Sequence, residues 1–471
     1  MPNDKRTKII ATIGPATETK SSIEQMIRGG VDVFRFNMKH GTYIWHQETI
    51  RRVQEVADSM DRSIGILIDL QGPEIRLQTR DSKDVVLKKG QEIVFCEKFR
   101  QEKDIVRVPH GSFFKALTAD DKFSADDGFV RFEVVKRLPY SRLLVRALDD
   151  AILKDRKSIN LVGKDIDLPS LIKEDIARLS VATKEKVDFV ALSFVRSRKD
   201  VETLRRVMEK KHIEAQIVSK IESRRGLDNI EEIIEVSDAI MVARGDLGIE
   251  VPFEEVTFHQ KQIINLCRKA YKPVIVATQM LQSMIENPLP TRAEANDVAN
   301  AVFDGTDAVM LSGETATGKY PLQSIEAMEK ILEFNEKKAL VTQFNIVPED
   351  PTELIVQAAE EIAESSARID KIVVFTETGH TARVISSFRP KTPLIVVTHS
   401  QKTVETVTLS YGAIPVKLNL PSSGKMLSPE VAIAQLKEKG IVKKGENALM
   451  IHGQHWRKPG QTNAIVLITV D

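Results

Sequence analysis

Eight apolar runs of strand length, separated by amphipathic stretches, restrict this chain more than any other feature. They are TKIIATIG from Thr7, VDVFRFNM from Val31, SIGILIDL from Ser63, VDFVALSF from Val187, AQIVSKIE from Ala215, DAIMVARGD from Asp238, KPVIVATQM from Lys272 and DAVMLSGET from Asp307. Between most of them lie segments such as SIEQMIRGG, ETIRRVQEVADSM and QKQIINLCRKA, which read as amphipathic helices. Apolar strands alternating with helices mean parallel strands joined by crossover helices. Eight such units predict a (β/α)₈ TIM barrel.

The rhythm breaks once. Strand starts are about 25–35 residues apart, but more than 110 residues separate Leu70 from Val187. That stretch is dense in short β-like pieces, among them VVLKKG, EIVF, FVRFEVVKR and RLLVRALD. It predicts a β-barrel-like domain inserted after the third strand. Loops after barrel strands all emerge on the functional face, so the insert is expected to act as a lid. After about Asn345 the pattern restarts with ELIVQAAEEIAESSA and then KIVVFTE, PLIVVTHS, AIPVKLN, NALMIHG and NAIVLITV, an open α/β domain. The expected organisation is barrel over 1–72 and 169–345, lid over 73–168 and C-terminal domain over 346–471, with VPEDPTE (347–353) as linker.

Bulk properties narrow the function. A chain of 471 residues with 68 Lys+Arg against 67 Asp+Glu has net charge +1, which lacks the basic footprint of nucleic-acid binding. Cys96 and Cys267 are the only cysteines, so no disulfide framework is expected. The start, MPNDKRTKIIATIGPAT, has no signal-type apolar region, and no apolar run reaches transmembrane length. A soluble cytoplasmic protein is the expectation.

Alternate residues of a barrel strand point inward, and those at its C-terminal end line the mouth. In VDVFRFNMKHG this puts Val31, Val33, Arg35, Asn37 and Lys39 on one face and Phe34, Phe36 and Met38 on the other. In IVSKIES, Lys220 and Glu222 share a face; a buried structural ion pair is the alternative. Asp246 is expected to end the next strand beside Gly245 and Gly248. Glu222 and Asp246 then stand on consecutive strands, where two carboxylates can meet one Mg²⁺ and leave other positions to water and substrate. Thr278 adds a hydroxyl on the following strand, Asp69 ends the third strand, and Arg76 lies just past the Gly72-Pro73 break. GETATGKYP (313–321) resembles a phosphate-binding P-loop, but Tyr320 stands where that motif needs the metal-ligating Ser or Thr.

These stretches together resemble pyruvate kinase. TKIIATIGPAT, FRFNMKHG, IDLQGPEIR, VSKIES, IMVARGDLGIE, VATQMLQSMI, PTRAEANDVANAV and MLSGETATGKYP match that family in the family's order, and the likeness runs from Thr7 to TNAIVLITV. GETATGKYP then corresponds to the loop after the eighth strand. The resemblance implies phosphoryl transfer from phosphoenolpyruvate to ADP, giving pyruvate and ATP. It implies Mg²⁺ on Glu222 and Asp246, and Lys220 facing the transferring phosphoryl. Arg35 would hold the substrate phosphate, the amides of Gly245 and Asp246 its carboxylate, and Thr278 would stand near the enolate carbon. Arg76, Lys157 and His40 would contact nucleotide. Asn37, Asp69 and the carbonyl of Leu70 would form a monovalent-cation site. The family has Ser where this chain has Lys39, so the expectation is that the Lys39 ammonium, held by Asp69 and Asn37, replaces K⁺. FTETGHTARV (375–384) resembles an effector-phosphate loop through Thr376, Thr378, Gly379, His380 and Thr381, with GQHWRKPG (453–460) beside it. A phosphorylated allosteric effector and a homotetramer are further implications. Barrels that cleave C–C bonds with Mg²⁺ are the rival enzymes; they would not need the lid, Arg76 or Lys157. A non-catalytic metabolite sensor is the other alternative.

Overall fold

The computed structural model describes residues 5–126, 128–161, 168–338, 348–419, 428–453 and 462–471. Eight strands close into a barrel: β1 (Lys8–Thr12), β2 (Val31–Asn37), β3 (Gly65–Asp69), β4 (Phe189–Leu192), β5 (Gln216–Ile221), β6 (Ala239–Ala243), β7 (Val274–Ala277) and β8 (Ala308–Leu311). Every neighbouring pair is parallel, and β1 pairs with both β2 and β8. The side-chain alternation sorts two cores. Ile10, Val33, Leu67, Ala191, Val218, Met241 and Ile275 fill the interior. Phe34, Phe36 and Met38 face outward against the helix Tyr43–Ser59, which contributes Ile50 and Val53. Val31 departs from the expected inward face: a register shift opposite Ile9 and Ile10 moves it to the outer core.

The strands are shorter than the apolar runs, and this corrects two positions. Asp246 does not end β6; the strand stops at Ala243 and Asp246 lies in the helix Arg244–Glu250. Thr278 lies just past β7, which ends at Ala277. Gly313–Ala316 likewise forms a helical turn after β8. The Glu314 carboxylate there accepts the N–H groups of Ser312 (2.8 Å) and Leu281 (3.2 Å), so it ties GETATGKYP to the end of β8 and to the loop after β7.

The chain between β3 and β4 builds a seven-stranded sheet of mixed sense that runs from Ile159–Asn160 to Gln78–Thr79, with Val85–Leu87 paired separately to Ala151–Leu153. Its two ends meet where Arg76 bridges to Ser158, with the Leu77 N–H donating to the Lys157 carbonyl at 3.0 Å and the Ile159 N–H to the Ile75 carbonyl at 2.8 Å, so the sheet curls into the expected barrel-like form. Its core is aromatic: Phe95, Phe113, Phe123 and Phe132 are fully buried, and Phe95 meets Phe123 edge-to-face at 5.4 Å.

The C-terminal region forms a five-stranded sheet from β9 (Lys371–Phe375), β10 (Leu394–Thr398), β11 (Ala413–Lys417), β12 (Asn447–His452) and β13 (Ala464–Thr469), in the order β11-β10-β9-β12-β13. Only β13 is antiparallel to its neighbour. This region docks on the barrel floor, at the N-terminal ends of the strands. Leu409 enters the interior core, Arg389 pairs with Asp307 at 2.9 Å, and Arg268 donates to the Ser387 carbonyl at 3.2 Å. The floor is thereby covered and the opposite mouth faces the insert. Among the described residues no helix is long and apolar enough to cross a membrane.

Candidate active site

A cleft of about 1270 Å³ lies between the barrel mouth and the inserted domain, lined by Lys39, Glu74, Arg76, Lys157, Glu222, Gly245 and Asp246 among others. Its floor is a buried charge network. Arg35 at the end of β2 donates Nε (2.8 Å) to Asp69 Oδ2, and its Nη1 reaches Thr12 Oγ1 at 2.9 Å. Lys220 on β5 pairs with Asp69 Oδ1 (3.3 Å) and Glu222 Oε1 (3.0 Å) and donates to Ser193 Oγ at 2.7 Å. Burial pulls the Lys220 ammonium down, but Asp69 and Glu222 outweigh it, so its pKa lies above the ordinary lysine value. Burial also works against the Asp69 carboxylate, yet Lys220 and Arg35 hold it below its usual range.

The acidic pair behaves in the opposite way. Burial raises the Glu222 pKa to about 7, with Lys220 opposing and Asp246 adding repulsion. Burial raises Asp246 as well, with Lys220 opposing. A buried carboxyl and a half-buried one that disfavour joint ionisation, bordering an open cleft, suit a hard divalent cation with oxygen ligands. Among the described residues no cluster of three or more His, Cys, Asp or Glu side chains could enclose a metal, so the remaining positions would fall to water and substrate.

Thr278 adopts φ 68° and Gln279 φ 54°. A β-branched residue in the left-handed region is a true outlier and persists only where its surroundings hold it. Here the Gly245 N–H donates to Thr278 Oγ1 at 2.7 Å, that hydroxyl donates to the Ala277 carbonyl, and Arg244 donates to the Thr278 carbonyl at 2.9 Å. Arg244 is itself fixed by Asp297 at 2.7 Å.

Lys39 is placed differently from expectation. The barrel strand ends at Asn37 and the chain turns, so the strand alternation no longer aims the side chain. Lys39 Nζ pairs with Glu74 Oε1 at 2.6 Å, not with Asp69, and Asn37 Oδ1 accepts only the Lys39 backbone N–H. Glu74 also takes Arg76, whose Nη2 lies 2.6 Å from Oε2. Lys157 enters the cleft and pairs with Asp126 at 2.7 Å. His40 does not join it; the residue is exposed beside the turn, and its carbonyl hydrogen-bonds His46. The Leu70 carbonyl accepts the Ser193 hydroxyl at 2.7 Å.

The FTETGHTARV segment forms the expected strand, turn and helix start, with Gly379 at φ 83° before the helix His380–Ser387. Thr376 is buried and accepts the Gly379 N–H, and buried Thr381 meets Thr462 at 2.9 Å, which leaves Thr378 exposed. His380 packs edge-on against Tyr271, and burial lowers its pKa. GQHWRKPG lies outside the described residues apart from Gly453.

Sequence reasoning missed Ser193, Glu74 and Thr12. Ser193 could have been found: it follows the inward-facing Ala191 by two residues at the end of β4, the one strand from which no mouth residue was named between β2 and β7. Thr12 carries the same signal, two residues after the inward-facing Ile10 at the end of β1, whereas Glu74 lies past the strand and carries none.

The family model "Pyruvate kinase, barrel domain" matches residues 4–325, and "Pyruvate kinase, alpha/beta domain" matches residues 353–468. The pyruvate kinase of Bacillus licheniformis is 38% identical over 460 residues, covering 95% of this chain and 78% of that protein. That of Staphylococcus epidermidis is 39% identical over 470 residues, covering 98% and 79%. A crystal structure of a pyruvate kinase from Cryptosporidium parvum superposes with TM-score 0.90 at 31% identity, covering 99% of this chain and 97% of that one. The chain therefore belongs to the pyruvate kinase family of phosphotransferases.

Proposed function

We propose that the enzyme transfers the phosphoryl group of phosphoenolpyruvate to ADP at the barrel mouth. The bond from phosphorus to the enol oxygen breaks, a bond from phosphorus to a terminal ADP oxygen forms, and the enolate carbon takes up a proton to give pyruvate. Such a transfer needs positioning and charge neutralisation more than covalent help. Lys220, held charged by Asp69 and Glu222, faces the transferring group. Arg35, braced by Asp69 and Thr12, presents the rest of its planar fork to the substrate phosphate. Gly245 and Asp246 offer backbone N–H groups to the carboxylate, which requires the Gly245 N–H to leave Thr278 Oγ1. The hydroxyl so released stands ready to relay the proton to the enolate carbon.

Glu222 and Asp246 hold Mg²⁺, which when bound neutralises charge on the phosphoryl oxygens. Arg76 and Lys157 reach nucleotide phosphates across the cleft, and His40 contributes from its edge only if the turn rearranges. Lys39, although paired with Glu74 rather than held by Asp69 and Asn37, lines the cleft and brings its own positive charge there in place of K⁺, so turnover does not depend on K⁺. The lid shields the transfer from water. Cytoplasmic location, a homotetramer and a phosphorylated effector at Thr376, Thr378, Gly379, His380 and Thr381 complete the reading.

The observation that carries it is the contact of one buried lysine with Asp69 and Glu222 at the cleft floor. Lys220→Met tests it in a coupled assay for ATP formed from phosphoenolpyruvate and ADP. Turnover should fall by about 10³-fold, with the fold retained by circular dichroism. Unchanged turnover would remove the assignment.

A further inference from the structure

One buried side chain ties together the two strands that connect the inserted domain to the barrel. The chain leaves β3 through Leu70, Gln71 and Gly72 and returns through Leu171 and Ile172 into the helix Lys173–Arg178. Asp175, in the first turn of that helix, is fully buried. Its Oδ1 accepts the N–H of Gln71 at 2.9 Å and of Gly72 at 3.4 Å; its Oδ2 accepts Gly72 at 3.3 Å and Ile172 at 3.2 Å. Reaching back to Ile172 is an ordinary helix-capping contact. Accepting donors from a strand a hundred residues away is not, and nothing in helix formation requires it. Farther out the same two strands meet again, where Arg76 bridges to Ser158.

The exit strand is gripped from its other side by the catalytic floor. The Leu70 carbonyl accepts the hydroxyl of Ser193, which in turn accepts Lys220 Nζ, both at 2.7 Å. Gly72, at φ 72°, has no room for a side chain: a Cβ would lie 2.8 Å from Ser193 Cβ and 2.9 Å from Phe194 Cδ2. The Phe194 N–H donates to Glu222 Oε2 at 2.6 Å. Leu70–Gly72 is thus bonded on one side to Asp175 and packed on the other against the residues that hold Lys220 and Glu222.

We propose that Asp175 is a positioning residue that clamps the exit and return strands into one unit seated on Ser193, so that the lid presents Arg76 at a set distance from Lys220. This rests on the roles given to Lys220 and Arg76 above. The clamp needs acceptor oxygens at both carboxylate positions, because every atom it holds is a backbone N–H. Asparagine has one such oxygen, and its NH₂ would face a donor, so Asp175→Asn frees one strand while leaving size and shape unchanged.

In the full-length enzyme, Asp175→Asn should raise KM for ADP and lower kcat, each by about tenfold, because a misplacement near 1 Å costs that much or more. KM for phosphoenolpyruvate, bound by barrel residues, should change less than about twofold on the same argument. Unchanged KM values with kcat reduced only in proportion to the folded fraction would overturn the proposal. If that variant does not fold, hydrogen exchange in the intact enzyme decides. The Gln71, Gly72 and Ile172 amides should show one common opening free energy, each rate being divided by its intrinsic value, and gain protection together with Mg²⁺–ADP, whereas unrelated opening free energies would overturn the clamp. Lys220→Met run in parallel separates the two claims. An inactive Lys220→Met beside an unaffected Asp175→Asn overturns the clamp alone, and an active Lys220→Met overturns both.

Discussion

The two ends of the barrel carry the same chemical grouping and use it in opposite ways. At the mouth, Glu222 and Asp246 form an acidic pair beside Lys220. At the floor, Asp188, the residue before β4, meets Glu405 from the C-terminal helix Gln401–Thr406, beside Lys186. Burial raises Glu222, Asp246 and Asp188 above the ordinary carboxylate range. The mouth pair borders an open cleft, so a divalent cation can reach it and relieve the repulsion. The floor pair lies in the contact that seats Leu409 inside the barrel, and Glu405 Oε2 has no donor among the described residues. Lys186 pairs with Glu405 there, and a proton on Asp188 relieves the repulsion that remains. Access to solvent, rather than the identity of the residues, divides the pair proposed to hold a cation from a structural contact.

The largest effect that follows is at the mouth. Asp246→Asn keeps the shape of the pair, and its amide can donate to Glu222, so the repulsion disappears without a cation. Turnover should fall by about 10²–10³-fold. The melting temperature of the metal-free protein should not drop. Wild type at about 100 times its Mg²⁺ dissociation constant should gain about 2.7 kcal/mol, and the variant should gain almost none. A variant that still gains stability from Mg²⁺ would show that the mouth pair is no more a cation site than the floor pair.

The mouth was legible to the extent that strand alternation reaches. Arg35, Asp69, Lys220 and Glu222 lie on or at the ends of barrel strands, where a period of two aims side chains inward. Legibility ended where strands end. Asp246 proved helical, Thr278 took a left-handed backbone, and Lys39 followed a turn to Glu74. None of these conformations has a local pattern, because each is held by contacts with loops distant in sequence. The Asp175 clamp and the Asp188–Glu405 contact are more remote still, joining segments that only the closed barrel and the docked C-terminal sheet bring together. The alternation that marked β9 to β13 needed no such long-range information.

A smaller effect separates the exchangeable charge of the mouth from the sealed floor. If the Lys39 ammonium replaces K⁺ at the mouth, wild-type turnover with tetramethylammonium as the sole monovalent cation should change less than about twofold when K⁺ is added. Lys39→Ser should lose about tenfold, equivalent to about 1.4 kcal/mol in the barrier, and recover on adding K⁺. Strong K⁺ activation of the wild type would mean that Lys39 is only a partner for Glu74.

The smallest effect is at the floor, and its sign follows from the direction of the shift. Burial first, then the neighbouring Glu405, raises Asp188 from the model-compound value of 3.8 to about 8, while the Ile66 N–H and Lys186 pull the other way. Between those two pH values the folded protein holds a proton that the unfolded chain has released. Stability from this site is therefore fully present below the lower value and is lost as pH rises toward the upper one, by at most about 1.4 kcal/mol per pH unit. For a chain of this length that is roughly 1–2 °C in Tm per pH unit. Glu405→Gln places an amide donor against Asp188 and keeps an oxygen for Lys186 and Gln401, so Asp188 can stay ionised without repulsion. Calorimetry at pH 6, 7 and 8 should find the Tm difference between variant and wild type growing with pH, at unchanged turnover. A difference that stays constant across that range would mean that no proton is shared at the floor, and that the C-terminal docking contact tolerates two neighbouring negative charges.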